Sequence, residues 1–279
     1  MTAVDQYCVM GNPVGHSKSP WIHARFAALT GQPVEYGRRL IPFDGFAAAL
    51  QAFAAEGGKG CNVTVPFKFE AATLVSRRSA RAALAGACNV LRFDGGDLTG
   101  DNTDGIGLVH DLQGNAGMAL AGRDLLLVGA GGAAAGVLGP LLDTRPRRVV
   151  VANRTVDKAR ALVAGHATLA TANDVALESC SLTDVTGCFD VVVNATASSL
   201  AGDAVPVPAT VLKPGALACD MMYGPAADGF LDWARSHGAI GRDGLGMLVE
   251  QAAEAFWVWR GVRPPAAQVL AELRAELAA

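Results

Sequence analysis

The sequence is poor in aromatic residues and in charge. Phe, Tyr and Trp make up 6% of its 279 residues, and Asp, Glu, Lys and Arg only 18%. With 51% hydrophobic residues beside so little charge, a disordered chain is excluded, because ample apolar surface is available to bury. Neither sign of charge dominates: 23 Lys+Arg face 26 Asp+Glu, a formal net of −3. That leaves no basic footprint for nucleic acid and no polybasic patch for an anionic membrane. Cysteine is scarce and scattered. Cys8, Cys61, Cys88, Cys180, Cys188 and Cys219 form no CxxC pair, and no histidine stands at metal-ligand spacing from one. They read as reduced core residues, and no metal site is expected. The opening residues, MTAVDQYCVMGNPV, have neither the basic nor the long apolar region of a secretory signal, so a cytoplasmic protein is expected.

Small residues fill the gap. Ala occurs 52 times and Gly 33 times. The glycines follow no three-residue period, which excludes a collagen helix. At about 100–200 residues per domain, the length predicts two domains. Residues 125–142 carry no charge and form a nominal membrane span, but five glycines and Pro140 interrupt them. The better reading divides the run into a buried strand (LLLV), a turn (GAGGA) and an apolar helix.

Short apolar runs alternate with helical patterns, the signature of βαβ units and parallel sheets. QYCVMG, VEYGRRLI, NVTV and NVLRF read as strands of a first block, with Pro66 ending the third. Helices are expected at WIHARFAALTG, capped by Ser19 and ending near Gly31, at GFAAALQAFAAEGG, capped by Asp44, and at RSARAALAGA. LTGDNTDG reads as a polar loop leading into a helix. The second block has DLLLVG, RRVVVAN, DVVVNA and GALACD as its clearest strands. Their continuous apolar runs suit a sheet covered on both faces. Two long helices close the chain, and Phe256, Trp257 and Trp259 on the first of them read as core.

Gly129, Gly131 and Ala134 fit G-x-G-x-x-A between a predicted strand and a predicted helix, the context of a dinucleotide-binding turn. The first glycine allows the tight turn, the second lets backbone approach a pyrophosphate, and the alanine permits close packing. The helix start then offers free N–H groups to the anion. The next strand ends in Asn153, Arg154 and Thr155 rather than in a carboxylate. A carboxylate there binds a ribose 2′-hydroxyl, whereas an arginine pairs with a 2′-phosphate, so NADP is the expected cofactor. Lys158 adds positive charge one helical turn on. The competing reading of Arg154 is an ordinary solvated side chain.

Polar residues of the first block gather at strand ends and loops, where sites usually lie. Lys68 follows a strand end, and Asp104 opens a helix. In contact, a lysine and a carboxylate would fix each other's protonation state. Periodicity alone cannot bring the two together. Ser17, Ser19, Asn62, Thr64 and Asn89 suit a polyhydroxylated or carboxylate substrate. Each also has a structural reading: Ser19 as a cap, Thr64 as a strand residue, Asn89 as a turn residue. His16 reads as a loop residue.

Nine segments together resemble the shikimate dehydrogenase family: GNPVGHSKSP at 11–20, GGKGCNVTVPFK at 57–68, ALAGACN at 83–89, GDNTDG at 100–105, GAGGAA at 129–134, NRT at 153–155, NAT at 194–196, DMMYGP at 220–225 and DGLGMLVEQAA at 243–253. They run in family order over nearly the whole chain. The resemblance implies an α/β protein of two domains. Residues 1–104 plus 244–279 would form the substrate domain, and 105–243 a Rossmann-like NADP-binding domain. It implies reversible, NADPH-dependent reduction of 3-dehydroshikimate to shikimate in aromatic amino-acid and chorismate biosynthesis. It further implies Lys68 and Asp104 as the catalytic pair, with Lys68 donating the proton. Ser17 and Ser19 would hold the substrate carboxylate, and Asn62, Thr64, Asn89 and Gln251 its hydroxyls, with Tyr223 beside them. Gly129, Ala130, Gly131, Gly132 and Ala133 match the pyrophosphate loop. Asn153, Arg154, Thr155 and Lys158 match the adenosine-phosphate site, and Met221 and Gly244 match positions near the nicotinamide. A monomer or homodimer with no nucleic-acid or membrane partner is expected.

Three departures stand out: Lys158 where the family often has Arg, ASSLAGD after NAT in place of a Ser-x-Gly form, and Asp228–Gly229 in place of a Thr-Pro type pair. Two rivals share the fold, a quinate/shikimate dehydrogenase using NAD and a non-catalytic NADP-binding sensor. Arg154 and the two serines argue against the first. Retention of both Lys68 and Asp104 argues against the second.

Overall fold

The computed structural model describes residues 4–201 and 205–278. Of the ASSLAGD stretch, Gly202 and Asp203 lie outside the described residues. The chain divides into two compact units, residues 1–107 with 248–279, and residues 108–247.

The first unit is built on β1 (Asp5–Gly11), β2 (Val34–Leu40), β3 (Gly60–Val63), β4 (Arg77–Arg78), β5 (Val90–Asp94) and β6 (Asp97–Asp101), in the spatial order β2-β1-β3-β5-β6-β4. β1 pairs in parallel with β2 and β3, and β5 runs antiparallel to both β3 and β6. The third strand is thus GCNV rather than NVTV, so Thr64 lies just past its end. LTGD of the expected polar loop is β6, a strand with a half-exposed face.

Helices α1 (Ser19–Thr30), α2 (Phe46–Ala55), α3 (Lys68–Leu74), α4 (Ala80–Ala85) and α5 (Asp104–His110) join or follow these strands. Two expected caps are corrected. Lys18 and Gly45, not Ser19 and Asp44, are the N-caps of α1 and α2. Ser19 is already helical, and its hydroxyl accepts from Ser17 instead of capping. Gly31 ends α1 in the left-handed conformation that a residue without Cβ adopts freely. Under one sheet face, Phe46 stacks on Phe67 at 5.0 Å among Met10, Cys61 and Leu91.

The second unit follows a π-helical turn at Asp111–Asn115. Its strands are β7 (Asp124–Val128), β8 (Arg148–Ala152), β9 (Ala176–Cys180), β10 (Phe189–Asn194), β11 (Leu212–Asp220) and β12 (Ile240–Arg242). They lie in the order β9-β8-β7-β10-β11-β12, all parallel. Helices α6 (Gly132–Asp143), α7 (Val156–Ala172), α8 (Ser198–Ala201) and α9 (Pro225–Ser236) connect them. Numbered from β7, this is the doubly wound order 3-2-1-4-5-6, whose direction reverses between β7 and β10. Leu125 and Leu127 enter one core while Leu126 and Val128 enter the other. Both faces are buried, which is why the strands are apolar throughout. Residues 125–142 are strand, turn and twelve-residue helix. Among the described residues no helix is long and apolar enough to cross a membrane.

The chain returns to the first unit through α10 (Leu245–Arg260) and ends in α11 (Ala266–Ala278). Trp259 packs on Tyr7 with ring centroids 4.6 Å apart, and Phe256 is fully buried. Trp257 corrects the sequence reading: it is 46% exposed. Cys188 is likewise exposed and Cys180 half-buried, while the other four cysteines are buried; all six are free thiols.

Within the second unit, the buried Asp111 takes a bidentate ion pair from Arg242, with Nε 2.6 Å from Oδ2. Its carboxylate lies against the start of α10, where a Cβ on Gly246 would come within 1.8 Å of Oδ1.

Candidate active site

Lys68 is the first residue of α3, immediately beyond the turn that follows β3. Asp104 is the first residue of α5, where a carboxylate suits the positive end of the helix. The fold joins these positions, 36 residues apart, through Lys68 Nζ donating to Asp104 Oδ2 at 2.5 Å. Their side chains are 14% and 1% exposed, so water screens the pair little.

Asn89 organises the other side of Asp104. Its Nδ2 lies 2.8 Å from Asp104 Oδ1, 3.0 Å from Thr103 Oγ1 and 3.0 Å from Gln251 Oε1. Its Oδ1 accepts from Thr103 N at 2.8 Å. Asn102 completes the turn: its Oδ1 accepts from Asp104 N at 3.1 Å, and its Nδ2 donates to Ala87 O at 2.9 Å. Lys68, Asn89, Asp104 and Gln251 therefore form one connected cluster. Sequence reasoning misses Asn102 and Thr103, although the polar run DNTD is the trace of their turn.

Ser17 and Ser19 face each other at 3.1 Å between their hydroxyl oxygens, and Arg38 fixes the loop by donating twice to Ser17 O. Asn62 donates to Asn89 O at 3.1 Å and accepts from Tyr36 OH at 2.6 Å, which ties it to the same cluster. Burial raises the Tyr36 phenol well above its ordinary value, so it stays a donor. His23 stacks on Tyr36 at 4.2 Å. Burial pushes its imidazole down to about 3 and so keeps it neutral. Neither Tyr36 nor His23 carries a sequence signal beyond its strand or helix pattern. Thr64 is half-buried beside Gly11, where an added Cβ would meet its methyl at 2.2 Å. His16 lies exposed in the turn before Ser17.

In the second unit, Gly129 follows β7 at the reversal of strand order. Its φ of +114° disfavours any side chain, and a Cβ there would come within 3.1 Å of Ala195 backbone. Gly131 is the N-cap of α6, with open space above it and no side chain capping the helix. Ala130, Gly132 and Ala133 stay partly open, whereas Ala134 is buried in the core. The first N–H groups of α6 are thus left to a ligand, as a pyrophosphate requires. At the end of β8, Asn153 Nδ2 donates to Thr155 O at 2.8 Å and shapes the turn. Arg154, Thr155 and Lys158 lie at the open end of β8, and the two cations enter no ion pair among the described residues. These residues fit a dinucleotide with a 2′-phosphate.

Met221 and Tyr223 follow β11, both half-buried. Gly244 closes on the same segment. Its N–H donates to Met222 O at 2.8 Å, and a Cβ would come within 2.3 Å of Met221 O. Gly244→Ala is expected to cost about 1–3 kcal/mol of stability by overpacking. A lowered urea midpoint for the variant checks this.

A doubly wound unit with a glycine turn opening a helix, in a chain whose other unit carries a buried lysine–aspartate pair, has the parts that a nucleotide-dependent oxidoreductase needs. Similarity to known proteins makes the class particular. The pattern for "Shikimate dehydrogenase substrate binding domain" matches residues 9–91, "Shikimate / quinate 5-dehydrogenase" matches 112–201, and "Shikimate 5'-dehydrogenase C-terminal domain" matches 244–274. Shikimate dehydrogenase (NADP(+)) of Acidovorax sp. (strain JS42) is 67% identical over 277 residues, covering 99% of this chain and 98% of that protein. Among solved structures, an Ael1 enzyme from Pseudomonas putida is 46% identical with a TM-score of 0.86, covering 96% of this chain and 98% of the other. Shikimate 5-dehydrogenase from Thermus thermophilus, in complex with NADP(H) and shikimate, is 29% identical with a TM-score of 0.85, covering 98% and 99%. The chain belongs to the shikimate dehydrogenase family.

Proposed function

We propose that this protein is an NADP-dependent shikimate dehydrogenase, catalysing the reversible reduction of 3-dehydroshikimate to shikimate. The observation that carries the reading is the buried contact of Lys68 with Asp104, held in turn by Asn89. Hydride chemistry is what the bound cofactor supplies. The chain supplies the proton. Lys68 Nζ donates it to the developing C3 oxygen during reduction and takes it back during oxidation. Asp104 holds the lysine in place and accepts a hydrogen bond from the substrate. Asn62, Thr64, Asn89 and Gln251 bind ring hydroxyls, with Tyr223 beside them, and Ser17 and Ser19 bind the carboxylate. Gly129 to Ala133 bind the pyrophosphate, and Asn153, Arg154, Thr155 and Lys158 bind the adenosine 2′-phosphate. Met221 and Gly244 border the nicotinamide. A place in aromatic amino-acid biosynthesis, a cytoplasmic location and a monomeric or homodimeric state belong to the same reading.

The test is the rate of cofactor reduction with the four pairings of shikimate or quinate with NADP or NAD. Shikimate with NADP is expected to give the highest kcat/KM. A higher value for quinate with NAD would overturn the assignment.

A further inference from the structure

The second sheet ends in a buried carboxylate that the reaction as described does not use. Asp220, the last residue of β11, is fully buried. It accepts from Ser199 Oγ, from Asn194 Nδ2 at 3.0 Å and from Met222 N at 2.8 Å. All three donors are neutral, and among the described residues no cationic side chain hydrogen-bonds to it. Burial pushes its carboxyl above its ordinary value, and the three donors offset only part of that rise. A shell made only of donors suits the ionised form, which can only accept.

This charge is linked to the phosphate turn. Asn194 closes β10, and its Oδ1 accepts from Thr196 Oγ1 at 2.7 Å and from Thr196 N at 3.2 Å. The Thr196 methyl in turn lies against Gly129, 3.2 Å from where a Cβ would stand. In a sheet of this order a dinucleotide crosses the carboxyl ends of the strands, with one half on each side of the reversal. Arg154 and Lys158 follow β8 and draw the phosphorylated adenosine half to the β7–β9 side. The nicotinamide half then falls over β10 and β11, where Asp220 ends the strand.

We propose that Asp220 supplies a fixed negative charge beneath the nicotinamide half and so favours the oxidised cofactor over the reduced one. The inference rests on the NADP reading above. The oxidised ring carries a formal positive charge and the reduced ring none, so a carboxylate kept from water distinguishes them electrostatically. Asp220 is thus a positioning residue that acts on the balance of the two cofactor forms and touches no transferred proton.

The test is direct binding of each cofactor form to the whole protein without substrate, NADP+ by calorimetry and NADPH by its fluorescence. Asp220→Asn is expected to raise the Kd for NADP+ about tenfold and to move the Kd for NADPH by less than about twofold. Asp220→Ser, which replaces the carboxylate with a neutral hydroxyl and leaves room for water, is the second variant should the amide fail to fold; the same asymmetry is expected. An equal rise in both constants would reduce Asp220 to scaffold and overturn the proposal, as would no change in either. If the unaltered protein bound neither form, the NADP reading itself would fall and take this proposal with it. If it bound both and the variants left the ratio unmoved, only this proposal would fail.

Discussion

Lys68→Ala is expected to lower kcat for shikimate oxidation by about 10²- to 10⁴-fold, the span of a lost general acid–base group. The KM for shikimate should rise far less, because the serine pair and the amides proposed to bind the substrate remain. The split follows from geometry. Lys68 is the more exposed member of a pair whose other member, Asp104, is sealed in by Asn89, Thr103 and the Asn102 turn. Removing the lysine takes away the movable proton and leaves the frame that holds Asp104. It also leaves that carboxylate without its cation, so a melting curve must accompany the kinetics. Activity surviving in folded Lys68→Ala would remove the proton-transfer role.

Arg154→Ala is expected to lower kcat/KM with NADP by about 10- to 100-fold, the worth of a charge-assisted hydrogen bond to a phosphate. With NAD, which has no 2′-phosphate, the change should stay within about threefold. Arg154 is exposed at the end of β8 and enters no ion pair among the described residues, so its loss disturbs little else. Lys158, one turn along α7, also enters none among them and should retain part of the preference. Equal losses with both cofactors would remove Arg154 from the phosphate site.

Much of the second unit is legible because its chemistry is local. β7, α6 and β8 follow one another in sequence, and the glycine turn between them needs no distant partner. Its central strands are apolar on both faces, so they stand out even where alternation is absent. The edge strands do not. β9 reads ALESC and lies half in solvent, and β12 is three residues long. Neither carries an apolar run. In the first unit β6 reads as loop because LTGD is polar, yet its pairing with β5 holds it as strand, and Gly100 lets it pass over Cys88.

The caps mislead for a related reason. Ser19 has the right chemistry for a cap, but Ser17 engages its hydroxyl, and the helix begins one residue earlier than a cap would set it. The active-site pair shows the limit most plainly. Residue types mark Lys68 and Asp104 as candidates, whereas their contact depends on the fold bringing the first residue of α3 to the first residue of α5. Asn89 reaches Gln251 across 162 residues, a distance no local pattern spans.

The contact of Asp111 with Gly246 bears on how this sequence can change over time. The carboxylate occupies the space that a side chain at 246 would need, and its ion pair with Arg242 holds it there. The three positions cannot drift one by one. A family member with a methyl group at 246 must first have shortened or moved residue 111, and would then lose the carboxylate that pairs with an arginine at 242. Substitutions across natural relatives should therefore appear at these sites together or not at all, as a linked triplet rather than three independent characters.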